Sequence, residues 1–131
     1  MKQVRVIIER GNDGNFSCFV SDETPLKNGI LGYGNTVQEA KDDFISAYNE
    51  AIKMFNETPN VEFSFVYDIV SFLQEFSKKL SLAGLQTITG INRKQLSHYV
   101  NGKSKPSKAT VKKISEGINK FQQELQDISF M

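Results

Sequence analysis

The 131-residue sequence predicts an α+β fold: a small antiparallel β-sheet with one long packed helix, followed by an all-α domain of about four helices. Short runs of alternating apolar and polar residues before residue 67 are typical of strands, and the three-to-four-residue apolar spacing after it is typical of helices. A composition of 39% hydrophobic and 24% charged residues excludes a disordered or fibrous chain. We therefore predict two domains, residues 1–66 and 67–131.

The first domain opens with the signals of a β-hairpin. Apolar residues alternate over residues 4–9 and again over residues 15–20, which predicts two strands. Gly11-Asn12-Asp13-Gly14 between them consists of residues that suit a tight turn. Residues 29–34 are compatible with a short third strand, although their glycines weaken it.

A long helix is predicted from residue 36. Thr36 and Glu39 form the T-x-x-E pattern of a capping box, in which each side chain satisfies a backbone N–H group of the other. Apolar residues at every third or fourth position from Val37 to Phe55 form one stripe along this helix. Alternation then returns in Val61–Tyr67, which predicts another strand.

The second domain has helical periodicity throughout. We predict a first helix over residues 69–80 and a short second helix from Ser81 or Leu82 to Thr89. Asn92 and Ser107 are suitable N-caps for a third helix, which runs to Asn101, and for a fourth. The apolar face of the fourth helix consists of Val111, Ile114, Ile118, Phe121 and Leu125. Residues 127–131 alternate as a final strand would.

Charge is distributed very unevenly along the chain, although the net charge is only +1. Residues 1–60 carry six Lys and Arg against nine Asp and Glu, whereas residues 61–131 carry ten against six. From Lys78 to Lys113 there are nine basic residues and no acidic one. Because such a run repels itself, it indicates a surface for a polyanion, and the alternative is an ordinary solvated surface.

Residues 81–107 have the layout of a helix-turn-helix motif. A capped short helix is followed by a turn at Gly90, a second short helix that begins with basic residues, and a basic loop. A helix of this width fits the DNA major groove. Helical periodicity places Leu96, Tyr99 and Val100 on the inward face of the predicted third helix, which runs to Asn101.

The outward face of that helix supplies the predicted DNA contacts. Its first turn is the part that usually meets base edges, and Arg and Lys can donate hydrogen bonds to guanine. The predicted base contacts are Arg93, Lys94, Ser97 and His98. The predicted phosphate contacts, which fix position without reading sequence, are Ser81, Asn101, Lys103, Lys105 and Lys108.

The same region resembles the Cro/C1-type (XRE-like) helix-turn-helix pattern over about a third of the chain. The residues that carry the resemblance are Leu85, Gly90, Ile91, Leu96, Ser97, Gly102 and Pro106. Two positions depart from the pattern, since Gln86 stands where a small Ala is usual and Thr89 where an apolar residue is usual. These departures predict less intimate packing between the two short helices.

The first domain resembles the antitoxin domain of HicB-type proteins over residues 3–56. The resemblance rests on an opening strand, an acidic-glycine turn, an aromatic second strand and a G-x-T-x-x-E-A stretch, here Gly34 to Ala40, before a long helix. It implies a partial RNase H-like fold that masks a small HicA-type ribonuclease toxin, while the second domain represses the shared operon. Asn28–Gly32 replaces the usual Pro-Gly-Cys-like stretch, and an orphan regulator that kept the domain for dimerisation fits equally.

The predicted function is therefore a sequence-specific DNA-binding transcriptional regulator of HicB-like antitoxin type. We expect double-stranded DNA and a small toxin protein as partners, a homodimer, and a cytoplasmic location. The candidate dimer contacts are the Phe121–Phe130 tail and the Val61–Tyr67 strand. The alternative is a protein-interaction or dimerisation module that does not read DNA. No apolar run approaches the ~20 residues of a membrane span, and we expect no signal peptide.

We expect no enzymatic activity, no cofactor and no metal site. A nuclease, the least favoured alternative, needs carboxylates that converge on one site. The acids in question lie on the polar side of one predicted helix: Glu39, Asp42, Asp43 and Glu50. His98 is the only histidine, and the single cysteine, Cys18, excludes an internal disulfide and indicates a packed thiol.

Overall fold

The chain changes from strand-rich to purely helical structure after residue 68. The computed structural model describes residues 2–22, 26 and 29–131, and the chain separates into two units, Met1–Asp68 (unit 1) and Ile69–Met131 (unit 2). In the described residues, unit 1 contains a four-stranded sheet and one helix, and unit 2 contains four helices. This confirms the predicted α+β class.

Unit 1 follows the order of the sequence signals. Its elements are β1 (Lys2–Arg10), β2 (Phe16–Val20), β3 (Leu31–Gly34), α1 (Val37–Met54) and β4 (Val61–Tyr67). The strand order in the sheet is β3-β2-β1-β4. β1 and β2 form the predicted antiparallel hairpin, in which Arg10 lies opposite Phe16, and Gly14 adopts a φ of 84° in the turn.

The prediction of a wholly antiparallel sheet is wrong for one strand pair. β4 runs parallel to β1, with Val61 opposite Lys2 and Tyr67 opposite Ile8. The chain leaves β3 at one edge of the sheet and returns through α1 to the other edge. A helical crossover of this kind brings the next strand back in the same direction, so β4 is parallel to its neighbour.

α1 is held against the sheet by aromatic packing and a close backbone approach. Thr36 and Glu39 form the predicted capping box, in which each side-chain oxygen accepts a hydrogen bond from the other's backbone N–H group. Phe44 is fully buried and meets Phe63 edge-on at 5.0 Å between ring centroids. A Cβ atom at Gly32 would lie 2.5 Å from the Phe44 backbone nitrogen, so glycine permits this approach.

The single cysteine lies in the core of unit 1. Cys18 on β2 is fully buried and forms no disulfide, as the alternation of its strand predicts. Burial raises the pKa of the Cys18 thiol, and the positive charge of Lys41 opposes this only in part. The side chain therefore packs as a neutral apolar group.

Unit 2 consists of α2 (Ile69–Phe76), α3 (Leu82–Thr89), α4 (Arg93–Val100) and α5 (Lys108–Gln126). Their N-caps include the two expected residues Asn92 and Ser107, together with Ser81 before α3. The core contains one buried side chain or more from each helix: Leu73, Leu85, Leu96, Tyr99 and Ile114. None of the helices described here has the length and apolar character needed to cross a membrane.

Two predictions for unit 2 are wrong: the end of its first helix and its final strand. The first helix ends at Phe76 instead of residue 80, because residues 77–79 form a turn in which the Lys79 N–H group donates to the Phe76 carbonyl, three residues back, at 3.0 Å. The strand predicted over residues 127–131 does not form, because residue 127 is in a turn and residues 128–131 are not in a strand. The Ile128 N–H group instead donates to the Leu125 carbonyl at 3.2 Å, which continues the helical turn.

Candidate nucleic-acid interface

The turn between α3 and α4 is built around Gly90. This residue adopts a left-handed conformation with a φ of 75°, and its N–H group donates to the Gln86 carbonyl at the end of α3. Left-handed backbone at a helix end is favourable for glycine because it has no Cβ atom. The chain can thus change direction sharply before Asn92 begins the next helix.

The two residues that depart from the helix-turn-helix pattern connect α3 to the turn and to α4. The buried Thr89 hydroxyl donates to the Leu85 carbonyl at 2.7 Å and accepts from the Ile91 N–H group at 3.1 Å. The Gln86 side-chain oxygen accepts from the Arg93 N–H group at 2.8 Å. Hydrogen bonds therefore join α3 to the turn at Thr89 and to α4 at Gln86, and the less intimate packing expected between the two short helices stays a prediction.

Arg93 needs such a partner because it is the first residue of α4. The first N–H groups of a helix have no acceptor within the helix. Gln86 satisfies the Arg93 N–H group, and the Asn92 side chain accepts from the Lys94 N–H group at 2.8 Å. Both side chains thereby fix the end of α4 that carries the predicted base contacts. Sequence reasoning assigned Gln86 no such role.

α4 has one buried face and one accessible face. Leu96 and Tyr99 are buried in the unit 2 core and Val100 packs against it, which confirms their predicted inward orientation. Arg93 and Lys94 are exposed in the first turn of the helix.

The remaining predicted base contacts, Ser97 and His98, are half-buried. The Ser97 hydroxyl accepts a hydrogen bond from the exposed Asn101 amide at 3.3 Å, one turn further along. This contact fixes the Asn101 side chain beside the accessible face of α4.

The basic loop after α4 folds back onto the end of that helix. Gly102 has a φ of 76°, and the Lys103 N–H group donates to the His98 carbonyl at 2.9 Å. The Gln95 amide donates to the Ser104 hydroxyl at 3.3 Å, which ties the loop to the helix side. Lys103 and Lys105 are exposed on this ordered loop.

The other predicted phosphate contacts lie where helices begin. Ser81 is exposed and caps α3, where its hydroxyl accepts from the Gly84 N–H group at 3.0 Å. Lys108 is exposed at the first residue of α5. Helix N-termini present free N–H groups and a positive dipole end, which favour an anion. The contacts of these residues with DNA stay predictions.

The cations of unit 2 have few internal partners. Unit 2 contains ten Lys and Arg against four Asp and Glu. Of the nine cations between residues 78 and 113, only Lys78 has a carboxylate within 4 Å in the described part of the chain, the Glu75 oxygen at 3.5 Å. Lys79 lies over the Phe76 ring, and Lys113 is 3.5 Å from the Gly90 carbonyl. Unit 2 taken by itself therefore has an excess of positive charge.

Three of the four acids named for a nuclease make contacts within unit 1. Glu39 belongs to the capping box, Asp43 accepts from the Tyr33 N–H group at 2.8 Å, and Asp42 accepts from the Gln38 amide at 2.9 Å. In the residues that the structure describes, no group of three or more His, Cys, Asp and Glu side chains is placed to hold a metal ion.

Comparison with known families identifies the same part of unit 2. A family model described as Helix-turn-helix (HTH_3) matches residues 74–120, which include α3, the turn, α4 and the loop. The match confirms the predicted helix-turn-helix motif and supports a DNA-binding transcription regulator of XRE-like type. No curated protein and no solved structure matches the chain. The HicB-type interpretation of unit 1 lies outside the matched residues and stays a prediction.

Proposed function

We propose that this protein is a sequence-specific transcriptional regulator that binds DNA through α4, and that it acts as a HicB-like antitoxin repressing its own operon. The observation that carries the proposal is the exposure of Arg93 and Lys94 on the first turn of α4. Neither side chain has a carboxylate partner among the described residues, and both lie within the matched helix-turn-helix. Cations left free on a groove-sized helix are suited to contact DNA.

The position of each side chain determines whether we propose that it contacts a base or a phosphate. Arg93, Lys94, Ser97 and His98 on α4 contact base edges, since this helix enters the major groove. The surrounding polar and basic side chains contact phosphates and fix the helix in its register. These side chains are Ser81, Asn101, Lys103, Lys105 and Lys108.

A homodimer is part of the proposal. A single recognition module covers roughly 600–1,000 Å² of protein surface, which is small for specific binding. Two copies double this area and read two half-sites about 34 Å apart, one turn of DNA.

The antitoxin role rests on unit 1. Its element order agrees with the HicB-type resemblance, and Gly34 packs so closely on α1 that a Cβ atom would lie 2.5 Å from the Glu39 Cβ atom. Residues 1–68 contain six Lys and Arg against eleven Asp and Glu. An acidic unit favours a basic partner, as a small ribonuclease toxin would be, because opposite fields steer association. We propose that the protein itself catalyses no reaction.

Recognition of the DNA sequence by α4 is tested with two alanine variants, one of a predicted base contact and one of a predicted phosphate contact. Arg93→Ala is expected to weaken operator binding by roughly 1–3 kcal/mol and to relax the base preference at one position. Lys105→Ala is the matched control, because it is expected to weaken all sequences alike. Affinities for an operator and for single-base variants measure both effects. Uniform weakening by both variants would contradict the assignment of α4 as the reading helix.

The antitoxin role is tested by co-expression with the product of a neighbouring reading frame. We expect a complex with a small basic protein that survives deletion of residues 69–131. If no such complex forms while operator binding is intact, the protein is an orphan regulator. If the complex forms and DNA is not bound, the protein is an interaction module.

A further inference from the structure

We infer that His98 on α4 takes up a proton when the protein binds DNA, so that the affinity for DNA falls as the pH rises through the neutral range. The inference rests on the proposed function and adds a dependence on pH to it. Three observations carry it: the position of His98 on α4, the lack of a partner for its ring among the described residues, and the charges around it.

His98 lies on the face of α4 that is proposed to enter the major groove. Leu96 and Tyr99 are buried in the core of unit 2, so the helix turns the His98 side chain away from that core. Lys94, four residues before it, and Asn101, three residues after it, lie on the same side of the helix, and both are exposed. The half-buried imidazole therefore lies between two accessible side chains on the proposed DNA-facing surface.

The ring of His98 is not committed to a contact within the protein. Among the described residues, neither ring nitrogen has a hydrogen-bond partner, and no carboxylate lies within 4 Å of the ring. The backbone of this residue is in use, since its carbonyl accepts from the Lys103 N–H group at 2.9 Å. This bond holds the residue in place and leaves both ring nitrogens available to a ligand.

The charged groups nearest to His98 along the chain are cations. Lys94 lies one helical turn before it, and Lys103 and Lys105 follow in the loop. Neighbouring cations disfavour an imidazolium, whereas the last turn of a helix, where His98 lies, favours one. These influences oppose each other in the free protein, so an external anion can decide the protonation state.

The helices packed most closely against α4 supply little negative charge. α3 contains no charged residue, and α2 contains only Glu75, whose carboxylate lies 3.5 Å from the Lys78 amino group. Duplex DNA, by contrast, carries one negative charge per about 1.7 Å of its length. Its field favours the imidazolium, so the complex holds more protons at His98 than the free protein does.

Protonation also changes which DNA atoms the ring can contact. A neutral imidazole donates through one nitrogen and accepts through the other, whereas an imidazolium donates through both. Phosphate oxygens are acceptors, and guanine presents two acceptors, O6 and N7, in the major groove, whereas adenine presents one acceptor and one donor. The protonated ring therefore suits an acceptor on DNA, which is either a guanine edge or a phosphate oxygen.

The sign of the pH dependence follows from the proton count. Because the complex binds more protons than the free protein, the affinity is greatest at low pH and falls as the pH rises. Histidine is the side chain that ordinarily titrates between about pH 5 and 8, and the chain contains one. We expect the wild type to lose affinity about three- to tenfold between about pH 6 and pH 8.

His98→Gln and His98→Lys test the inference as a pair. Glutamine is uncharged and lysine is positive throughout this pH range, and every other titrating group of the chain is retained in both variants. The probe is a duplex that the full-length wild type selects from a randomised pool at about pH 7. Fluorescence anisotropy at constant ionic strength should show a much smaller pH dependence in both variants than in the wild type. At about pH 8, His98→Lys should bind more tightly than His98→Gln.

Calorimetry measures the proton directly. Binding heats of the wild type in buffers of different ionisation enthalpy should reveal proton uptake at about pH 7, and His98→Gln should show less. Duplexes with single-base changes separate the two acceptors. A pH effect lost on replacing one guanine identifies a base edge, and an equal effect on all duplexes identifies a phosphate.

The inference is overturned if the wild type and His98→Gln lose affinity by the same factor between the two pH values. It is also overturned if the binding heat of the wild type does not depend on the buffer, a result that needs no variant to fold. Either result leaves the proposed function intact, because DNA is still bound. If the pool yields no enriched sequence and the wild type binds no DNA at either pH, the proposed function fails and the inference fails with it.

Discussion

The two units use their charged side chains in opposite ways. In unit 1, acidic side chains complete the fold: Glu39 closes the capping box at the start of α1, and Asp43 accepts the N–H group of Tyr33 on β3. In unit 2, the charged groups are mostly cations, and Arg93, Lys94 and Lys103 have no carboxylate partner among the described residues. The polar groups that order this unit are uncharged, such as Gln86 and Thr89.

This difference separates charges that serve structure from charges that serve binding. The Asp43 contact satisfies an N–H group on the edge strand β3, and an edge protected in this way is a poor template for pairing with another strand. The cations of unit 2 outnumber its acidic residues ten to four, and their mutual repulsion costs folding free energy. A polyanion removes that cost, so the imbalance is explained by DNA and not by the fold.

The largest expected effect is the salt dependence of DNA binding. If each protomer neutralises about six phosphates, the logarithm of the affinity should fall with the logarithm of the salt concentration at a slope near −5. That slope corresponds to a loss of about a thousandfold between 50 and 200 mM salt. Fluorescence anisotropy with an operator duplex measures it. An affinity that does not change with salt concentration would show that the cations of unit 2 do not contact phosphates. The proposed difference between the charges of the two units would then be wrong.

The second effect concerns the uncharged groups that order unit 2. Thr89→Val keeps the shape of the side chain but leaves the Ile91 N–H group without its acceptor, so we expect a loss of about 1–3 kcal/mol in the free energy of unfolding. DNA affinity should fall as well, because the turn before α4 loses a fixed contact. Chemical denaturation and operator binding measure the two losses.

Thr87→Val is the matched control for this change. Thr87 lies on the same helix and is exposed, and its hydroxyl donates to the Ala83 carbonyl at 3.3 Å. We expect a change within about 0.5 kcal/mol. Equal losses for both variants would mean that helix propensity, and not the buried hydrogen bonds, accounts for the effect.

The local elements were predictable because their signals lie within a few residues. The Thr36 capping box and the caps at Asn92 and Ser107 occur where the sequence places them, since a cap satisfies N–H groups only two or three residues away. The parallel pairing of β4 was not predictable in this way, because strand alternation does not specify the neighbouring strand. Alternation over residues 127–131 misled for a related reason, since so short a run also fits a helix end.

The candidate site was predictable in composition and not in detail. Periodicity alone separates the buried Leu96 and Tyr99 from the exposed Arg93 and Lys94. The hydrogen bond from the Arg93 N–H group to Gln86 spans seven residues and depends on the angle between two helices. No periodic pattern encodes that angle, so the sequence alone does not reveal that Gln86 contacts the start of α4.

The third effect compares one charge from each unit. Asp43→Ala removes the acceptor of the Tyr33 N–H group at an exposed strand edge, and we expect a loss of about 1 kcal/mol in unfolding free energy without a change in half-site affinity. Lys103→Ala should change stability by less than about 0.5 kcal/mol and reduce the salt slope by about 1. Denaturation and anisotropy on both variants give the four values. A crossed result, with Lys103→Ala costing stability and Asp43→Ala weakening DNA binding, would reverse the assignment of roles.

The smallest effect is a pH dependence that arises from Cys18 in unit 1. Burial raises the pKa of the Cys18 thiol, so the folded chain keeps the thiol neutral at a pH where the unfolded chain ionises it. The contribution is fully present below the unfolded pKa of about 8.5 and is lost as the pH rises through the folded value. Stability should therefore fall more between about pH 7.5 and 9.5 in the wild type than in Cys18→Ala. The cavity left by the alanine costs the same at both pH values, so the difference isolates the thiol. Equal losses in the two proteins would mean that the Cys18 thiol is solvated in the folded state. That result would contradict its place in the core of unit 1.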